Sequence, residues 1–192
     1  MDVNEIEDYY SELVKAVDGC EEKSIFNNDR IHNATILRLM FDKSDDVRMY
    51  CGEMSVFRKG FFDNIEKSYS KKIADYVKDE LIKSFEKFLN KKRSSLFIIL
   101  EKSINKCWND LICEAQFLKY MNEGKIKVSY LPDYFTYKEG FDHYSFTNTN
   151  ILRLEEDKIQ HNAVCICNGE SYIDTLNSNF DLLKKIAEPA KI

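Results

Sequence analysis

The feature that most constrains this fold is the alternation of short apolar runs with one-faced helical stretches in the middle of the chain. Val47-Arg48-Met49-Tyr50-Cys51 reads as a strand, followed by an ordered loop from Gly52 to Phe57. From Lys72 to Asn90, the residues Ile73, Val77, Leu81, Phe85 and Phe88 recur every three or four positions, the spacing of an amphipathic helix. The apolar run from Ser95 to Glu101 is too short for a buried helix and suits a central strand. Trp108, Leu111, Ile112, Ala115, Leu118 and Met121 predict another helix, which Asn122-Glu123-Gly124 ends. Ile126 to Leu131 predicts a third strand, stopped by Pro132. The order β, α, β, α, β calls for right-handed crossovers and a mixed, largely parallel sheet with helices on both faces.

The flanks fill in the rest. Val3 to Val17 predicts a helix with Ile6, Tyr10, Leu13, Val14 and Val17 on one face, ended by Asp18-Gly19. A polar stretch over 20–29 follows, and a second helix starts near Asp29 or Asn33, with Ile36, Leu37, Met40 and Phe41 turned inward. Residues 60–70 are ambiguous, with a short helix one reading. Residues 132–141 form a loop rich in Tyr and Phe. Three short strand-like pieces come next, His143 to Phe146, Ile151 to Glu155 and Ala163 to Cys167, close enough to pair as hairpins. A last helix carries Ile173, Leu176, Phe180, Leu183 and Ile186. Residues 1–22 read as an acidic helical extension and residues 23–192 as one α/β domain.

Charge and composition exclude several classes. With only 6 Gly and 2 Pro in 192 residues, collagen-like and many-turned all-β folds are out. No apolar run approaches the roughly 18 residues needed to cross a bilayer, and the polar, acidic start is not a signal peptide, so a cytoplasmic protein without a membrane partner is expected. The net charge of −5 does not support nucleic-acid binding by bulk attraction, though nucleic acid stays possible. Residues 1–22 hold eight acids and one base, whereas residues 71–93 hold eight bases and four acids. These are either solvated helix faces or an acidic arm that covers a basic patch. The six cysteines follow no small-scaffold spacing and read as reduced, mostly apolar groups. His161-x-x-x-Cys165-x-Cys167 has no CxxC partner pair to complete a tetrahedron, so no metal or other cofactor is expected. P-loop, dinucleotide, zinc-protease and serine-hydrolase spacings are absent from the sequence.

The chemistry-bearing stretch is Asp142 to Asn150, D-H-Y-S-F-T-N-T-N. It resembles the His-x-Lys-x4-Asp motif of the phospholipase D-like (HKD) superfamily, carried on a β-hairpin after a β-α-β-α-β half. His143 stands at the His position, Ser145 where Lys is expected and Asn150 where Asp is expected. The resemblance covers about residues 28–187. It implies a phospholipase D-like fold. In that family one His attacks phosphorus while a second, from the other half or another subunit, protonates the leaving oxygen. The Lys supplies positive charge to the non-bridging oxygens, and the acid orients the His. Ser145 can donate a hydrogen bond but carries no charge, and Asn150 can hold an imidazole but cannot stabilise imidazolium as a carboxylate does.

The resemblance therefore implies a catalytically degenerate domain working as a binding or assembly module. A homodimer, a possible protein partner, and a bacterial restriction or phage-defence setting go with it. The alternative is a metal-independent phosphodiesterase or nuclease using His143 across a homodimer. Arg153 either replaces the missing charge or is an ordinary exposed strand residue. Glu53 and Glu101, at the C-terminal ends of predicted strands, sit where open α/β sheets hold ligands. They could equally be solubilising acids. Tyr130, Tyr134, Phe135 and Tyr137 could stack on a base, or could form a packed lid or a protein-binding patch. His143 itself could be a structural residue. His32, near a helix start, is a capping or interface candidate.

Overall fold

The computed structural model describes residues 1–27, 29–101, 108–132, 142–157 and 162–190. Helix α1 (Val3–Asp18) opens with a capping box: Asp2 accepts from the Asn4 and Glu5 amides, and Glu5 accepts in return from the Asp2 amide. Strand β1 (Lys23–Asn27) follows, and then α2 (Arg30–Lys43), capped by Asp29, whose Oδ1 accepts from Ile31 N at 2.6 Å. Next come β2 (Asp46–Cys51), a 3-10 turn (Ser55–Phe57), α3 (Lys59–Ser68), α4 (Lys71–Asn90) and β3 (Ser95–Leu100). After a 3-10 turn (Trp108–Asp110), α5 (Glu114–Asn122) leads into β4 (Ile126–Tyr130). Strands β5 (Tyr144–Thr147), β6 (Leu152–Asp157) and β7 (Asn162–Cys167), helix α6 (Glu170–Ile186) and the short β8 (Glu188–Pro189) complete the chain.

The strands form one open sheet in the order β1-β7-β6-β5-β2-β3-β4-β8. It is mixed, as expected, but less parallel than the alternation suggests. Its parallel part is the β2-β3-β4 set that the central β-α-β-α-β run builds, and the other five ladders among the described residues are antiparallel. Short connections account for two of them, since β5, β6 and β7 follow one another; the β1–β7, β2–β5 and β4–β8 ladders join segments distant in sequence. Even so, β1, β6, β2, β3 and β4 all run in the same direction, so their C-terminal ends share one edge of the sheet.

Helices cover both faces. On one, Phe41, Phe57, Phe85, Phe88 and Phe117 stack around the centre of the core laid down by α1 to α5. On the other, α6 sets Leu176, Phe180 and Leu183 against Tyr144, Phe146, Leu152 and Ile166. The N-terminal helix belongs to the first core: Ile6, Leu13 and Ala16 are buried. Arg38 of α2 ties it down, with Nη1 2.6 Å from Glu7 and the guanidinium 3.8 Å above the Tyr10 ring.

Three details differ from the sequence reading. The polar stretch after α1 contains β1, an edge strand whose single partner, β7, lies far along the chain. The stop at Pro189 contains β8, where a proline is tolerated because the strand lies at the sheet edge. The helix expected from Trp108 begins only at Glu114. Leu111 and Ile112 keep helical spacing in sequence, but their backbone bridges Arg58 and Phe57 instead, with Ile112 N donating to Phe57 O at 2.9 Å.

Candidate functional site

The site lies at the shared C-terminal edge. His143 stands just before β5, at the open end of the β5–β6 hairpin. The hairpin turn pairs Thr147 with Ile151 and Ser145 with Arg153, and the same register sets His143 opposite Glu155, whose N–H donates to His143 O at 2.8 Å. Side chains alternate along both strands. Tyr144, Phe146 and Leu152 pack beneath α6, which sends His143, Ser145, Arg153 and Glu155 to the opposite face.

There the imidazole is held between two carboxylates. Nδ1 lies 2.5 Å from Glu155 Oε2, and Nε2 lies 3.2 Å from Glu101 Oε1. Glu155 has a side chain only 6% exposed, and Glu101 follows the last residue of β3. Nε2 is buried, and its approach to Glu101 falls outside good hydrogen-bond geometry, so this contact is an ion pair more than a hydrogen bond. Glu101 Oε1 also accepts from the Tyr50 hydroxyl at 3.0 Å, and the Tyr50 ring meets the imidazole edge-on, centroids 5.8 Å apart. Gly52 allows the loop after β2 to close in: a Cβ there would sit 3.3 Å from His143 Cε1.

Burial alone would pull the His143 pKa down. The carboxylates of Glu101 and Glu155 outweigh it and hold the value above the ordinary one. Arg153 is pushed the other way by burial, although Glu155 partly restores it. Burial lifts the Cys51 thiol to about 12 and raises the Tyr50 and Tyr144 hydroxyls.

Beside this cluster lies a cavity of about 370 Å³. Its apolar wall comes from Ile36, Leu37 and Met40 of α2, Met49 of β2, Met54 and Val56 of the following loop, and Phe61 of α3. Its polar end holds His143, Ser145, Arg153, Glu155 and Asn33.

The residues singled out from the sequence divide as follows. His143, Ser145, Arg153 and Glu53 line the cavity, Glu53 from the exposed rim, and Glu101 touches His143 from behind it. Arg153 is not an exposed strand residue. Its side chain is only 16% exposed, with Nε donating to Asn33 Oδ1 at 2.7 Å and Nη2 3.6 Å from Glu155 Oε1. Asn150 lies at the closed end of the hairpin, in left-handed conformation at φ 59°, where its backbone bonds Thr147 O and Gly169 N. Glu155, not Asn150, therefore holds the imidazole Nδ1. Tyr130 ends β4 and does not line the cavity. Tyr134, Phe135, Tyr137 and His161 lie outside the described residues. His32 neither caps a helix nor joins the site; it packs against Tyr9, ring centroids 4.6 Å apart. Sequence reasoning passed over Glu155, Asn33 and Tyr50. The hairpin register alone would have found Glu155, since pairing 145 with 153 pairs 143 with 155.

Among the described residues no group of three or more His, Cys, Asp or Glu is placed to hold a metal ion. The two carboxylates flank opposite nitrogens of His143, so the three groups do not converge on one point. Among the described residues no helix is long and apolar enough to cross a membrane.

The sequence matches no protein-family model and no curated protein. Solved structures are similar in fold. Nuc from Salmonella typhimurium, a phospholipase D family member, gives a TM-score of 0.50 at 9% identity, over 90% of this chain and 99% of its own. NucT from Helicobacter pylori gives 0.51 at 12% identity, over 88% and 99%. TrmBL2, an archaeal chromatin protein whose structure shows a novel mode of DNA binding, gives 0.53 at 13% identity. That match takes in 97% of this chain, which spans 62% of TrmBL2. The fold is phospholipase D-like.

Proposed function

We propose that this chain is a phospholipase D-like domain that no longer cleaves phosphodiesters and keeps its site as part of a binding or assembly module. One observation carries the reading. His143 Nε2, the atom that would attack phosphorus, faces Glu101 Oε1 at 3.2 Å. A phosphodiester anion approaching Nε2 meets a carboxylate where attack requires positive charge. The position that would supply that charge is Ser145, and Arg153, the one permanent cation among the described residues lining the cavity, is turned to Asn33 and Glu155. Loss of one preorganised donor typically costs about 10²–10³ in rate, and groups that act as a unit fail together.

The rival reading, a phosphodiesterase acting through His143, draws on the Glu155 contact. A carboxylate on Nδ1 fixes the tautomer that keeps the proton there and leaves the Nε2 lone pair free, as a nucleophile requires. Pairing with a second copy of the chain belongs to both readings. The DNA binding of TrmBL2 makes nucleic acid the macromolecule to try first as a ligand, although the net charge of −5 speaks against a contact driven by bulk attraction.

The deciding experiment incubates the full chain with bis(p-nitrophenyl) phosphate and with single- and double-stranded DNA in EDTA, beside His143→Ala. Background rates for both proteins are expected. Turnover by the wild type that a folded His143→Ala protein lacks would establish the rival. Sedimentation of the same samples tests the dimer.

A further inference from the structure

The cavity beside His143 has the wrong charge for a phosphate and the right walls for something else. Among the described residues seven aliphatic, Met or Phe side chains line it, three of them Met, a residue that adapts its shape to what it meets. At about 370 Å³ it falls within the range of small-molecule pockets, which are mostly apolar with a few convergent polar groups. Its charged lining is Glu53, Glu155, Arg153 and His143, with Glu101 against the far side of the imidazole. With His143 protonated the charges of these described residues sum to −1, and they offer an entering anion no net attraction.

The polar end still offers donors. Arg153 carries five guanidinium N–H groups; Nε donates to Asn33, and Nη2 pairs with Glu155 Oε1 only at 3.6 Å, beyond hydrogen-bond distance, so a ligand acceptor can compete for the Nη N–H groups. Ser145, on the neighbouring strand, adds a hydroxyl to the same end.

We propose that this cavity binds an uncharged, mainly apolar small molecule that carries a hydrogen-bond acceptor, such as a carbonyl, at one end. The apolar body lies against Ile36, Leu37, Met40, Met54 and Phe61, and the acceptor takes N–H groups from Arg153. The proposal rests on the reading that the site binds rather than cleaves, and it names what is bound.

The test uses Nile red, a neutral carbonyl-bearing dye, with the full chain at pH 8. Saturable one-to-one binding with a blue-shifted emission is expected. Val56→Trp, which fills the cavity from the loop, should weaken binding at least tenfold while keeping the melting temperature. Leu37→Phe is the second filling variant should Val56→Trp fail to fold. Decanamide should displace the dye at a tenfold lower concentration than decanoate, its anionic counterpart of equal length. Three results would overturn the proposal: no saturable binding, binding unchanged in a folded filled variant, or decanoate competing as well as decanamide. Because dye binding and phosphodiester turnover are separate readouts, cleavage with intact dye binding would sink the loss-of-catalysis reading alone, and loss of dye binding without cleavage would sink the ligand class alone.

Discussion

Glu155 Oε2 sits 2.5 Å from His143 Nδ1 across the open end of the β5–β6 hairpin, and this pair sets the electrostatics of the site. Glu155→Gln keeps the shape and removes the charge. The His143 pKa should then fall toward its ordinary value near 6.5, read from the imidazole Cε1–H shift in an NMR titration. An unmoved value would mean that Glu101 alone holds it up. Glu155→Leu strands the partner cations and should cost about 3–5 kcal/mol in urea unfolding, as the loss of one member of a buried pair does.

The same pair fixes the sign of a pH effect. The His143 pKa is higher folded than unfolded, so its stabilisation is complete below about pH 6.5 and is lost as pH rises through the folded-state value. His32 opposes it. Burial lowers its pKa, so as pH falls below about 6.5 the unfolded chain takes a proton that the folded chain resists. The melting temperature of His143→Gln should therefore fall less than that of the wild type between pH 6.5 and 9. His32→Gln should gain stability relative to the wild type below pH 6.

Two glycines separate site crowding from core crowding. An alanine Cβ at Gly52 would lie 3.3 Å from His143 Cε1, the side of a ring that can shift by a few tenths of an ångström. At Gly169 it would lie 2.8 Å from Leu152 Cδ1 and 2.9 Å from Ile166 Cγ2, inside the α6 core. Gly169→Ala should cost about 1–3 kcal/mol in unfolding free energy, the usual range for overpacking. Gly52→Ala should cost less but lower the His143 pKa as the ring moves from Glu101. Equal costs with no pKa change would refute the assignment.

How much of this was readable beforehand depends on where each signal lives. Helices α1, α2, α4 and α6 and the β2, β3 and β4 strands follow from local patterning, because their apolar faces are set residue by residue, whereas α3 falls in a stretch that reads ambiguously and α5 starts six residues after Trp108. The edge strands β1 and β8 do not, since each is defined by a partner distant in sequence and carries little apolar pattern of its own. His143 was reachable from its motif spacing. Glu101 was reachable as a strand-end acid, but its contact with Nε2 depends on β2 and β3 packing side by side. Arg153 looked exposed because a charged strand residue usually is; its burial comes from Asn33 on α2, 120 positions earlier in the chain. Asn150 fitted the motif by spacing alone, and the turn conformation that it adopts takes it away from the imidazole.

The N-terminal helix gives a further test. Leu13 is fully buried, so Leu13→Ala should cost about 2–5 kcal/mol, as in other large-to-small core changes. Arg38→Ala should add a separate loss by leaving Glu7 with only the Tyr76 hydroxyl as a side-chain partner among the described residues and uncovering Tyr10. A dispensable acidic arm would show neither effect in a denaturation curve.

The last prediction asks which substitutions silence the site. Ser145 is buried in β5, registered with Arg153 on one side and Met49 on the other, and it lines the cavity at the position where the resembling motif carries Lys. Ser145→Lys alone should remain at background with bis(p-nitrophenyl) phosphate. The new ammonium would pair with Glu155, and Glu101 would still face Nε2. Combining it with Glu101→Gln removes the repelling charge and leaves Nδ1 held by Glu155, which restores a positive charge beside an oriented imidazole. The double variant should then exceed background by about 10², the contribution of one electrostatic donor, and should lose that rate on His143→Ala. Circular dichroism melts would confirm that each variant is folded. A folded double variant without turnover would mean that Ser145 and Glu101 are not the residues that stop the chemistry.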